Sequence, residues 1–203
     1  MPKFCLSRIL IRCAALLLVP VSVWAAPFTT VVVDAGHGGH DRGGIPSNII
    51  PEKGVALDTA RRLKNYLQQA GLRVVMTRSS DVFVPLPDRV AVSNRQRRAI
   101  FVSIHYNSAP RRGADGIETF ANRSGLPLAW RIQRNLMKVS PATDRGVKMR
   151  GFYVLRKNRN PAVLVECGFL TNPGDARRAG SAVYRDRVAA QIARAILDYR
   201  RSL

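Results

Sequence analysis

Apolar and polar positions alternate along this chain in two periods. Short runs rich in β-branched residues, at 29–33, 72–76, 100–104, 116–121, 152–155 and 162–165, read as strands. Between them lie stretches with helical spacing. Ala56, Leu57, Ala60, Leu63 and Leu67 share one face, and Gly71 stands where a helix would end. Residues 89–97 and 128–139 read as further helices, and Val183, Val188, Ile192, Ala195, Ile196 and Tyr199 line a last one. Alternating strands and helices predict an α/β domain whose sheet is covered by helices. From Pro27 to the last residue, 203, no linker, repeat or low-complexity stretch interrupts the pattern, so a single domain over 27–203 is expected.

The first residues follow another logic. Lys3, Arg8 and Arg12 precede an apolar run from Cys13 to Trp24, and Ala25 offers a small-residue exit. That layout predicts a secretory signal peptide over 1–25, with cleavage after Ala25 or Ala26. The apolar run is about half the roughly 20 residues of a membrane span, which weighs against an anchor. Two of the three cysteines, Cys5 and Cys13, fall in this segment. Cys167 then has no partner for an internal disulfide, so stability must come from the core.

The formal net charge is +20, with 33 Lys and Arg against 13 Asp and Glu. Such a field favours an anionic partner. Export argues against nucleic acid, and the chain shows no basic recognition module. An anionic envelope polymer or a membrane surface fits better, although scattered arginines can also be compositional bias.

The candidate chemistry gathers beyond strand ends, where open α/β sheets bind ligands. The chain has three histidines: His37, His40 and His105. His37 sits in the loop Asp34-Ala35-Gly36-His37-Gly38-Gly39, which by itself also suits an incidental surface histidine. His105 closes an apolar strand within Ser103-Ile104-His105-Tyr106-Asn107, and a hydrogen-bonded core histidine is the alternative. Glu52 opens the first long helix, where a carboxylate is favoured by the helix dipole in any case. Glu166 ends the apolar run 162–165, where burial without a partner is costly. A salt bridge to an arginine would be one partner, and a metal-activated water another. Two imidazoles and a carboxylate form a familiar zinc set with one position left for water, and a nearby carboxylate can move that water's proton. His40 could replace His37. Asp34 could orient a ligand or cap a turn. Glu118 reads as a solvated strand residue. Cys167, in an apolar strand end beside a glutamate, is a poor nucleophile.

These motifs, together with Glu52-Lys53, Thr77-Arg78 and Asp81, Arg89, Gly116-Ile117-Glu118, and Pro161 to Glu166 followed by Gly168-Phe169 and Asn172-Pro173, resemble in order and spacing the zinc-dependent N-acetylmuramoyl-L-alanine amidases. The likeness runs from Thr29 nearly to the end. It implies a twisted, mixed, mostly parallel sheet of about six strands with helices on both faces. It implies Zn2+ held by His37, Glu52 and His105, Glu166 as the catalytic glutamate, and peptidoglycan as substrate, cut between N-acetylmuramic acid and L-alanine. Asn107 is expected to contact that substrate. The expected setting is the periplasm or cell envelope, and the expected state a monomer. Some members insert a regulatory helix between the residues matching His105 and Glu166. This interval is too short for one, so an open site is expected. The alternative is a non-catalytic peptidoglycan-binding or activator protein of the same fold, but a decayed copy would ordinarily have lost one of the four site residues.

Overall fold

The computed structural model describes residues 27–44 and 48–203. The proposed export signal lies outside them. In chain order the elements are β1 (Thr30–Ala35), α1 (Glu52–Gln69), β2 (Arg73–Met76), α2 (Leu86–Asn94), β3 (Ala99–Asn107), β4 (Ile117–Ala121), α3 (Leu126–Leu136), β5 (Asp144–Lys148), α4 (Tyr153–Arg156), β6 (Ala162–Phe169), α5 (Pro173–Gly180) and α6 (Ala182–Arg201).

The strands form one six-stranded sheet in the order β2-β1-β3-β6-β4-β5. All neighbours are parallel except β4 and β6, which run antiparallel. Alternation assigns every other side chain to each face. Val31, Val33, Ile100, Val102, Val163 and Val165 enter the larger core beneath α1, α3 and α6. Val32, Phe101, Ala162 and Leu164 face a smaller cluster with Val90 of α2 and Val154 and Leu155 of α4. Burial on both faces is why these strands read as continuous apolar runs. Each fully buried Val or Ile stabilises the fold by about 1.5–3 kcal/mol.

Helix α1 ends as its sequence predicts. Gly71 adopts φ +79°, donating to the Gln68 carbonyl, while Leu72 donates back to Leu67. Both orphan carbonyls are thereby satisfied.

Three local readings change. Residues 152–155 do not form a strand: they hold the short helix α4, whose single turn aims both Val154 and Leu155 into the smaller cluster. A four-residue apolar run does not carry enough periodicity to separate these outcomes. The sixth strand is instead β5, whose DRGVK sequence lacks apolar alternation because it is an edge strand paired only with β4. Helix α5, absent from the sequence reading, is capped by the Asn172 side chain, which accepts from the Gly174 and Asp175 amides. Among the described residues no helix is long and apolar enough to cross a membrane.

Candidate metal centre

On the face beneath α2 and α4, the apolar pattern gives way to polar residues near the carboxyl ends of the strands. Val32 is followed on that face by Asp34, Phe101 by Ser103 and His105, and Leu164 by Glu166. The register sets Asp34 beside Ser103 and His105 beside Glu166. β1 has β2 on one side and β3 on the other, so the crevice between β1 and β3 is a switch point of the topology.

His37 is delivered by a turn that costs backbone strain. Its φ is +59°, rare outside glycine. Reciprocal amide–carbonyl bonds between Gly38 and Asp41, 2.9 and 3.1 Å, close the turn. Two buried arginines clamp it from below. Arg78 donates to the carbonyls of Ala35 and Gly36 at 2.9 and 2.6 Å. Arg89 donates to those of Ala35 and His37 at 2.6 and 2.7 Å. Arg89 is fixed in turn by the buried carboxylate of Asp34 at 2.8 Å, which also accepts from Ser103 and Thr77, both at 2.6 Å. Burial works to raise the Asp34 pKa, but Arg89 and the two hydroxyls outweigh it and hold the carboxyl below its usual range. Asp34 therefore holds the His37 loop through Arg89 and hydrogen-bonds to neither histidine.

Three groups converge. Glu52, buried at the start of α1, brings Oε2 to 3.1 Å from His37 Nε2 and Oε1 to 2.9 Å from His105 Nδ1. Oε1 also accepts from the Tyr106 amide at 3.0 Å. The three candidate ligand atoms lie within 4.8 Å of one another. The His37 and His105 side chains keep 22% and 17% of their surface open, so the cluster is reachable from solvent. Burial would raise the Glu52 pKa, but the two imidazoles pull it far below the usual carboxylate range. Burial likewise lowers that of His37, and its bonds to Glu52 and Asp41 reverse the sign. Two imidazoles held against an ionised carboxylate suit a divalent cation of the zinc type.

The residues around the triad support it. Asp41 accepts from His37 Nδ1 at 2.8 Å, leaving Nε2 to face Glu52. This orienting carboxylate went unnoticed in the sequence, although it follows His37 by four positions. Gly36 packs flat on the His105 ring, where a Cβ would meet the imidazole at 2.4 Å. His40 is exposed and packs on Phe83, ring centroids 4.2 Å apart, outside the triad.

Glu166 lies on the same edge. It is nearly buried, and its Oε2 has no hydrogen-bond partner among the described residues, so it makes no salt bridge to an arginine. Burial, then the charges of Glu52 and Glu118, push its pKa well above the usual value. Glu118 is not the solvated strand residue expected: it is 5% exposed. Its carboxylate accepts from Asn107 Nδ2 at 2.7 Å and binds Lys148, with Arg145 at 3.6 Å. Asn107 lines the cleft while its amide is spent on Glu118. Burial beside Glu166 and Glu52 pushes the Cys167 thiol up, as an inert core residue requires.

The cleft over these groups has a volume of about 630 Å3. One wall is polar: His37, Glu52, His105 and Glu166. The other is apolar: Phe83, Val84, Leu86, Phe152 and Val154. This second wall comes from the segments leading into α2 and α4, and misassigning α4 hid it from the sequence reading.

Comparison with known proteins agrees with this geometry. The family described as N-acetylmuramoyl-L-alanine amidase matches residues 31–198. The YqiI protein of Bacillus subtilis strain 168 is 37% identical over 192 residues, covering 91% of this chain and 92% of YqiI. N-acetylmuramoyl-L-alanine amidase LytC of the same organism is 36% identical over 177 residues, covering 85% of this chain but 36% of LytC. The chain thus corresponds to about a third of LytC. Among solved structures, the amidase AmiC2 of Nostoc punctiforme superposes with a TM-score of 0.80 at 38% identity, covering 84% of this chain and 96% of that one.

Proposed function

The chain belongs to the N-acetylmuramoyl-L-alanine amidase family, and from that premise we propose that it cuts peptidoglycan as a zinc enzyme, with His37, Glu52 and His105 as metal ligands and Glu166 as general base. The reaction is hydrolysis of the amide joining the lactyl group of N-acetylmuramic acid to the L-alanine of the peptide stem. The observation that carries the residue roles is the convergence of three ligand atoms on the edge where Glu166 keeps an unpartnered oxygen.

When bound, a zinc ion supplies Lewis acidity and brings the pKa of a water toward neutrality. The chain's own groups do the rest. Asp41 fixes the tautomer and ring orientation of His37. Arg78 and Arg89 hold the strained loop that carries it. Glu166 takes a proton from the attacking water and passes it to the departing amine of L-alanine. Phe83, Leu86 and Phe152 line the opposite wall, where they exclude water and pack on the substrate's carbon skeleton. Asn107 meets the substrate only with its side chain held by Glu118.

The protein acts after export, in the periplasm or cell envelope, with residues 1–25 removed as a signal peptide. It works as a monomer, and its positive charge draws it to anionic envelope polymers or a membrane surface. The openness of both histidines supports turnover without an activating partner.

Metal analysis of the purified chain and its Glu166→Ala variant tests the assignment. About one zinc per chain is expected in both, with turnover in the variant reduced at least about a hundredfold. Mass spectrometry of digested walls should find unsubstituted muramic acid and peptides beginning at L-alanine. A fully active Glu166→Ala variant, or stem peptides cut internally, would defeat the proposal. Wild-type chain that holds zinc but turns over only after a second protein is added would defeat the activator-free part alone.

A further inference from the structure

The cleft uses one face of the sheet. The helical layer on the other face carries a charge pattern that the amidase reaction does not need. Helices α3 and α6 pack antiparallel: Arg131 midway along α3 donates to Ser202 beyond the end of α6, and Ser140 beyond α3 meets Tyr184 near the start of α6. Along α3, Arg131 and Arg134 fall at i and i+3, on neighbouring turns of one side of the helix, and Lys138 follows, exposed, in the turn just beyond its end. Along α6, Arg187 and Arg194 fall one heptad apart, both exposed. Lys138 and Arg187 line the same depression, where the turn after α3 meets α6, so the two groups of cations adjoin there.

These cations are uncompensated. Of the acids on the neighbouring surface, Asp186 pairs with Arg62 and Asp198 with Arg201, while Asp144 accepts from the Gln133 amide and lines the groove beside Arg131 and Arg134 without pairing with either. Among the described residues none of the five cations has a carboxylate within salt-bridge distance. Next to them Trp130 is 59% exposed. It shares a groove with Arg131, Arg134, Pro127, Met137 and Asp144.

We infer that the α3–α6 face docks the protein on an anionic phospholipid surface, with Arg131, Arg134, Lys138, Arg187 and Arg194 against the headgroups and Trp130 at the interface. Two features select lipid over a soluble polyanion. A polyanion needs only the cations, whereas an exposed indole among arginines suits a surface with an apolar layer beneath a charged one. Val183, 61% exposed at the start of α6, adds a second apolar contact on that helix. The geometry also leaves the cleft free, because the catalytic edge faces the opposite side of the sheet beneath α2 and α4. A lipid-bound chain therefore keeps its cleft available to the wall. The inference concerns binding alone and does not depend on the catalytic assignment.

The test is co-sedimentation of the purified chain with vesicles of phosphatidylglycerol and phosphatidylethanolamine, beside vesicles of phosphatidylcholine alone. Binding is expected to the anionic vesicles only, and to fall steeply as salt is raised. The triple variant Arg134→Gln, Lys138→Gln, Arg194→Gln should bind at least about tenfold more weakly, since each cation near such a surface counts separately. It should retain full hydrolysis of dispersed muropeptides. Subtracting the emission of Trp130→Phe isolates the indole, which should shift to the blue on anionic vesicles. Equal binding by the triple variant, equal binding to neutral vesicles, or an indole that stays in water would each overturn the inference. So would a triple variant that loses grip on insoluble peptidoglycan but not on vesicles, which would make this face a wall-binding surface.

Discussion

Glu118 and Glu166 stand directly opposite each other across the antiparallel β4–β6 ladder. Both are nearly buried, yet their surroundings differ. Glu118 meets Lys148, Arg145 and Asn107, while Glu166 has burial and the like charges of Glu52 and Glu118 against it, with no partner for Oε2 among the described residues. Like charges side by side disfavour joint ionisation, so Glu166, buried and without a counter-charge, is pushed toward neutrality.

The first prediction follows from that asymmetry. An acid whose folded pKa is raised releases its proton more readily when unfolded. Above the unfolded pKa of about 4.3, the metal-free chain is therefore penalised, and the penalty grows until the folded pKa is passed. Glu166→Gln removes the titrating group while keeping its shape. The variant should melt higher than the wild type at pH 7, with the difference vanishing near pH 4, and be inactive. Equal melting temperatures of the two metal-free chains at both pH values would contradict the burial-driven shift.

The second concerns Asp41. Its carboxylate orients His37 and also accepts the Gly43 amide at 3.0 Å. Asp41→Ala should weaken zinc binding roughly 10- to 100-fold, the usual effect of removing an orienting carboxylate. Asp41→Asn keeps an acceptor and should recover most of the loss. Competition with a chelator of known affinity measures both, and an Asp41→Ala chain that holds zinc as tightly as wild type would remove Asp41 from the site.

How much of this could be read beforehand depended on where the information lies. Strands β1, β3 and β6 were legible because both of their faces are buried, so their apolar runs survive any register. His105 and Glu166 were legible because a polar residue ending such a run conflicts with burial. β5 was not, because an exposed edge strand owes its form to its partner β4. Asp41 was not, because its role exists only once the turn at His37 has closed back on Gly38. Nor was the burial of Glu118, which depends on Lys148 arriving from the unrecognised strand.

The third prediction uses the contact between Gly36 and His105. A methyl group at position 36 would lie 2.4 Å from the imidazole, so the ring must move. Gly36→Ala should cost about 1–3 kcal/mol of stability, as overpacking generally does. It should also lower kcat/KM on the order of a hundredfold, because His105, the ligand in the proposed mechanism, would no longer align the reacting groups. Thermal melts and kinetics on the same preparation separate these effects. A folded Gly36→Ala chain with normal kcat/KM would mean that the His105 position tolerates the shift.

The fourth concerns the clamp beneath the loop. Arg89→Met leaves Asp34 buried without its cation, and Arg89 is also the donor that holds the His37 carbonyl. Breaking such a pair from one side typically costs about 3–5 kcal/mol, mostly for the charge left behind. Adding Asp34→Asn removes that charge, so the double variant should regain a good part of the lost stability. It should not regain activity, because the Asn side chain cannot restore the bond from position 89 to the His37 carbonyl. A double-mutant cycle in denaturant, run beside the kinetics, measures both. If activity returned together with stability, the arginine would matter only as a counter-charge, and the strained turn at His37 would have to be held by Arg78 and the Gly38–Asp41 bridge alone.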